Sequence, residues 1–176
     1  MANFNKYDHL HFHIKEPVLD IGGGKGEMME YFDVDDATIV DFKYADNGYK
    51  YIQADLSQRL PTIDRKFKTI FLFEVIEHIR NPLYLMSQVF DLLDDDGVCY
   101  ISAPYTKVWP THHHVCNWTL REIKTQMDKL GFDVEVLWKR RRFKNIGFWL
   151  PHCWFTLALT KRLENGGGDK LNFYGK

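Results

Sequence analysis

The chain is poor in several things, and each shortage excludes a class of function. Net charge is nearly nil: 23 Lys and Arg against 24 Asp and Glu leave a formal −1. No global field therefore draws the molecule to nucleic acid or to an anionic membrane. Cysteine is scarce, with only Cys99, Cys116 and Cys153, far apart in the chain. That spacing suits neither a disulfide framework nor a zinc site, and reduced thiols in a cytoplasmic setting are the expectation. Long apolar runs are missing too. The nearest, Ile146 to Leu159, is broken by Pro151 and His152, so no transmembrane segment is expected. The opening stretch, MANFNKYDHLHFHIKEP, lacks the apolar centre of a signal peptide.

What is present points to a folded α/β domain. The 176 residues suffice for one core, and 45% of them are hydrophobic. Short apolar runs alternate with amphipathic segments. Strands are expected at 17–21, 37–42, 49–55, 67–73 and 97–103, the fourth (FKTIFLF) being rich in strand-favouring residues. A short helix is expected over Gly26 to Phe32. Asn81-Pro82 caps and opens a second helix, whose apolar face is Leu85, Val89, Phe90, Leu92 and Leu93 and which Gly97 is expected to stop. Thr119 and Glu122 form a capping box for a third helix that ends at Gly131. FDVEVLWKR and PHCWFTLALTK read as two final strands, antiparallel to one another. Repeated β-α order followed by a hairpin-like tail argues for a largely parallel sheet wrapped by helices. Residues 1–16 read as an N-terminal extension, 17–163 as the domain, and 164–176 as a flexible tail jointed at NGGGD, Asn165 to Asp169.

The densest signal is VLDIGGGKGEMMEYF, Val18 to Phe32. Glycines between a strand and a helix serve positive φ or a close ligand. A nucleoside-triphosphate loop needs a hydroxyl after its lysine, but Lys25 is followed by Gly26 and Glu27. A G-x-G-x-x-G dinucleotide loop starting at Gly22 would place its last glycine at Glu27, a carboxylate where a pyrophosphate would bind. The stretch from Asp20 to Gly26 instead has the form D-x-G-x-G-x-G, with Gly22, Gly24 and Gly26 at the fixed places and Gly23 between them. A tight strand-to-helix turn with no ligand is the competing explanation.

In this form the loop resembles that of the class I S-adenosylmethionine-dependent methyltransferases, and most nearly their small-molecule, UbiE/UbiG-like members. The likeness runs from Pro17 to about Leu159. It implies a Rossmann-like, mostly parallel sheet with a C-terminal antiparallel strand. The fold would be trimmed: the connections 42–49 and 56–68 are too short for full helices, and helices that often cover the site are missing from the N-terminus. A partner copy in a homo-oligomer would then cover an open site. The resemblance also implies a cofactor, S-adenosyl-L-methionine, with S-adenosyl-L-homocysteine as product. Asp20, Gly22, Gly23, Gly24 and Gly26 would lie under its amino-acid end, and Asp41 with Phe42 at its ribose. Asp55 and Leu56 would meet its adenine, and Glu74, opening the stretch Glu74 to His78, would bind it beside the reactive methyl group. Asp41 and Asp55 have alternative roles as turn caps.

Methyl transfer from a sulfonium leaves a neutral group behind, so alignment and water exclusion carry most of the acceleration. A base is needed when the acceptor is a hydroxyl or a protonated amine. His78 in EVIEHIRNP is the first candidate, Glu77 a residue to orient it, and His114 a second base or acceptor contact. Each also reads as an ordinary polar loop residue. Consecutive His112, His113 and His114 cannot converge on one ion from a regular element, and no metal is expected. The basic run Lys139 to Lys144 reads as a solvated turn, as a docking patch for phosphates, or as a lipid contact beside the aromatics that follow it. The expected activity is methyl transfer to a small-molecule or glycan- or lipid-linked acceptor, on oxygen. The alternatives are an RNA or protein methyltransferase, nucleic acid being the less favoured partner, and a non-catalytic cofactor-binding or scaffold subunit.

Overall fold

Alternating side chains on five inner strands, buried on both faces, make one sheet the centre of the molecule. The computed structural model describes residues 11–46, 48–104, 114–116, 118–139 and 154–162, with the backbone alone at 138 and 139. In chain order the strands are β1 (Val18–Ile21), β2 (Ala37–Asp41), β3 (Lys50–Gln53), β4 (Phe67–Phe73), β5 (Leu93–Pro104), β6 (Phe132–Lys139) and β7 (Trp154–Lys161). The helices are α1 (Glu27–Tyr31), α2 (Pro82–Leu92) and α3 (Leu120–Lys129), with one 3₁₀ turn over Ile76–His78. The sheet order is β3-β2-β1-β4-β5-β7-β6. Neighbours from β3 through β5 run parallel; β7 is antiparallel to both β5 and β6. The Rossmann-like, mostly parallel arrangement with one antiparallel C-terminal strand is therefore present.

Period-two alternation explains why both faces are covered. Leu19, Ile21, Ile70, Leu72, Cys99 and Ile101 face one cluster, with Leu85, Met86 and Val89 of α2 and Ile123 and Met127 of α3. Val18, Phe71, Val98 and Tyr100 face the other, with Met28 and Met29 of α1. The second face is also closed by the segment before β1. Phe12 meets Tyr100 edge-on at 4.8 Å between ring centroids and Phe32 at 5.6 Å. The His13 amide donates to the Tyr100 hydroxyl at 2.9 Å, and Lys15 and Thr69 exchange two hydrogen bonds. Phe12 and Ile14 of the N-terminal extension thus pack against the core.

The caps read from sequence are present. Asn81 Oδ1 accepts from the Tyr84 amide, and Thr119 and Glu122 bond reciprocally. One boundary differs. Gly97 does not stop α2. The helix ends at Leu92, and β5 starts at Leu93, which pairs with Phe67 ahead of a register shift. Gly97 is there for closeness: a Cβ on it would lie 2.9 Å from Leu93 Cδ1 and 3.0 Å from the Phe67 carbonyl oxygen. Strands β1, β2 and β3 are also shorter by one to three residues than the apolar runs, so Phe42 and Asp55 fall just beyond strand ends. Among the described residues, no helix occurs between β2 and β3 or between β3 and β4, and none is long and apolar enough to cross a membrane. The NGGGD joint, Cys153 and residues 140–144 of the basic run lie outside the described residues.

Candidate functional site

β1 pairs with β2 on one side and β4 on the other, so the chain reverses its order of strand addition there. Crevices at such reversals, beyond the carboxyl ends of the strands, are where open α/β sheets bind ligands. A cleft of about 350 Å³ lies at that place. Gly22 follows β1, Asp41 ends β2 and Phe42 follows it, Asp55, Leu56 and Ser57 follow β3, and Glu74, Val75, His78 and Ile79 follow β4. Seven of the residues read from sequence therefore converge on one opening: Gly22, Asp41, Phe42, Asp55, Leu56, Glu74 and His78.

The glycine loop forms its floor. Gly22 has φ +76°, and its amide donates to the Val40 carbonyl at 2.7 Å. A Cβ there would sit 2.5 Å from Val75 Cγ2. Gly23 lies over Asp20, where a Cβ would come within 2.3 Å of Oδ2. Gly26, with φ +77°, begins α1, and its amide closes back onto the Gly23 carbonyl at 2.9 Å. The loop's glycines are thus required by the turn itself, as well as by anything that lies on it.

Asp20 is 2% exposed. Its Oδ2 has no hydrogen-bond partner among the described residues. Burial, and then the charge of Asp41, raise its pKa to about 7. A buried carboxylate left in this state suits a cationic ligand, which would stabilise its ionised form, and disfavours a pyrophosphate. Asp41 shapes the loop from above: Oδ2 accepts from the Gly24 amide and Oδ1 from the Lys43 amide, both at 3.0 Å. Asp55 caps its own turn, with Oδ1 accepting from the Ser57 amide at 2.9 Å, and the Ser57 hydrogen bonds hold its pKa below the usual carboxylate value. Both acids thus carry the turn-cap role while still lining the cleft.

Two residues that were not singled out in the sequence complete the frame. The Tyr51 hydroxyl faces the carbonyl oxygens of Gly24, at 2.8 Å, and of Lys43, tying β3 to the glycine loop. Burial and then the charges of Asp41 and Asp20 push this phenol up to about 12. Trp154, on β7, donates from Nε1 to Glu74 Oε2 at 2.5 Å, while Ser102 donates to Oε1 at 2.8 Å. Glu74 holds φ +57°, uncommon for a non-glycine residue. Its carboxylate is gripped by β5 and β7, and its amide donates to the Ser102 carbonyl. Neither partner had a local signal: Trp154 is 80 residues away in the chain.

The candidate base lies at the other rim. The His78 side chain is 43% exposed, with Nε2 3.8 Å from Oε1 of Glu77, which is 1% exposed. The His114 ring stands edge-on to that of His78, 5.1 Å between centroids. Backbone bonds from the Val115 and Cys116 amides to the Glu77 carbonyl, 2.9 and 3.1 Å, bring His114 there. His112 and His113 lie outside the described residues.

Comparison with known proteins gives the arrangement its family. No curated protein sequence matches the chain. Solved structures resemble it in fold at low identity. The complex of DhpI with S-adenosylhomocysteine shares 13% identity at a TM-score of 0.60, over 82% of this chain and 76% of that one. The Burkholderia thailandensis 1,6-didemethyltoxoflavin-N1-methyltransferase, solved with its acceptor and S-adenosylhomocysteine, shares 17% at 0.62, over 82% and 70%. The plantazolicin methyltransferase BamL, solved with a desmethyl analogue and S-adenosylhomocysteine, shares 15% at 0.60, over 83% and 77%. A family model described as a methyltransferase domain matches residues 12–137, most of the chain and every residue of the cleft. This chain belongs to that methyltransferase family.

Proposed function

We propose that the chain transfers a methyl group from S-adenosyl-L-methionine to a hydroxyl of a small-molecule or glycan- or lipid-linked acceptor. The observation that carries the cofactor reading is the buried Asp20 carboxylate beneath a glycine loop at the sheet's reversal point. When bound, this cofactor supplies an electrophilic methyl on a sulfonium and a positively charged amino group. Asp20 sits under the loop as the matching negative charge. Asp41, fixed by two backbone amides, keeps acceptor lone pairs for sugar hydroxyls at the cleft. Phe42, Leu56 and Ile79 offer apolar walls to a base, and Asp55 a carboxylate at its rim. The partly exposed His78 removes the acceptor's proton, and Glu77 behind it orients the ring. The neighbouring structures with S-adenosylhomocysteine support the cofactor class, and two of them are a plantazolicin methyltransferase and a 1,6-didemethyltoxoflavin-N1-methyltransferase.

Calorimetric titration with S-adenosylmethionine and S-adenosylhomocysteine, with NAD and ATP as controls, tests the reading. Saturable binding of the first pair alone is expected. Failure of both to bind, with a folded protein, overturns it. Binding without turnover across a broad acceptor panel would favour the scaffold alternative.

A further inference from the structure

Glu77, His78 and His114 place one carboxylate and two imidazoles together, their ligating atoms all within 4.8 Å of one another. We infer that these three side chains bind a divalent first-row transition ion at the rim of the cleft. Two imidazoles and one carboxylate form a borderline donor set that suits zinc, cobalt, nickel or ferrous iron, and suits magnesium or calcium poorly. The parts are held in place independently. Glu77 is buried on the 3₁₀ turn, and its carbonyl takes the amides of both Val115 and Cys116. Cys116 Sγ donates to the Ile79 carbonyl at 3.0 Å, a third tie from the same segment. His114 is thereby fixed beside residues 36 and 37 positions earlier. Ligand atoms around a tetrahedral ion with bonds of about 2.0–2.2 Å lie roughly 3.3–3.6 Å apart. Glu77 and His78 already stand 3.8 Å apart and no pair of ligand atoms exceeds 4.8 Å, so the set closes by side-chain movements of up to about 1.5 Å.

Three protein ligands leave at least one coordination position open. His78 lines the cleft, so an ion held there borders the acceptor's space. It would acidify a coordinated acceptor hydroxyl, whose proton then leaves to solvent instead of passing to His78. Metal binding is separable from methyl transfer and is measured without cofactor or acceptor.

The test is titration of the chelator-treated full chain with Co²⁺, followed by visible absorption, with Zn²⁺ as competitor. One ion per chain is expected, displaced by Zn²⁺, with His78→Ala and His114→Ala each weakening binding at least about tenfold. Glu77→Gln should act in the same direction. Because Glu77 is buried, its circular dichroism is checked, and the two histidine variants decide the matter if it misfolds. No binding, or binding that survives both histidine variants, overturns the inference. Cofactor binding by a chain that takes up no Co²⁺ would refute the metal site and leave the methyltransferase reading standing.

Discussion

Gly23→Ala is the sharpest probe of the loop, because its effect should vanish when a second residue is changed. The added Cβ would lie 2.3 Å from Asp20 Oδ2 and 2.5 Å from its Cγ. Asp20 cannot step aside with its backbone, which is paired to Ile39 on β2 and Phe71 on β4. Its carboxylate must rotate inside a filled interior, an overpacking cost of about 1–3 kcal/mol. In a chain of this size that lowers the melting temperature by roughly 2–10 °C. Asp20→Ala removes both clashing atoms. Placing Gly23→Ala on that background should recover about 1 kcal/mol or more of the loss, a coupling read from a double-mutant cycle by thermal or urea unfolding. Gly24→Ala is the control. Gly24 has φ +57° and no atom within 4 Å of an added Cβ. It should cost about 1–2 kcal/mol from backbone strain alone, with no coupling to Asp20→Ala. Equal costs for Gly23→Ala in both backgrounds would refute the packing argument and the placement of Asp20 beneath the loop.

Three further outcomes are expected. Asp20 has its folded pKa raised to about 7 from 3.8, so the native state holds a proton that the unfolded chain releases. Stability of the free protein should therefore fall as pH rises from about 4 to about 7, by up to about 4 kcal/mol, and level off above that. Urea unfolding across that range checks it, and Asp20→Asn should flatten the slope. Trp154→Phe keeps an aromatic side chain, smaller than the indole, and removes the donor to Glu74 Oε2; it should cost about 1–3 kcal/mol and weaken cofactor binding, measured by unfolding and calorimetry. Asp41→Ala removes the acceptor for the Gly24 and Lys43 amides and should lower cofactor affinity by about 1–3 kcal/mol; unchanged affinity would remove Asp41 from the site.

Much of this was legible in the chain because the relevant signals are local. Strand cores, the Asn81 and Thr119 caps, and the run from Asp20 to Gly26 depend on residues within a few positions of one another. The clustering of Asp41, Asp55, Glu74 and His78 was legible one step further, since a parallel sheet gathers the carboxyl ends of its strands. Other features required distance in sequence. Nothing near Tyr51 announces a hydroxyl that bridges to Gly24, and nothing near Glu74 announces Trp154. His114 read as one of three consecutive histidines. Its neighbours in space are Glu77 and His78, because amides of the next two residues reach the Glu77 carbonyl. The misplaced end of α2 has a simpler cause: Leu92 and Leu93 fit an apolar helix face and an apolar strand equally well. A glycine four residues on looks like a stop signal whether it ends a helix or only fits between Leu93 and Phe67.

The grip of β7 on Glu74 also has a meaning for synthesis. A ribosome makes the chain from its N-terminus, so the glycine loop, Asp41 and His78 all emerge well before Trp154. Until that strand arrives, Glu74 lacks its indole donor, and the twelve-residue β5 offers a bare edge to any other strand nearby. The last of the described strands to be made is thus the one that both gives Glu74 its indole partner and covers that edge.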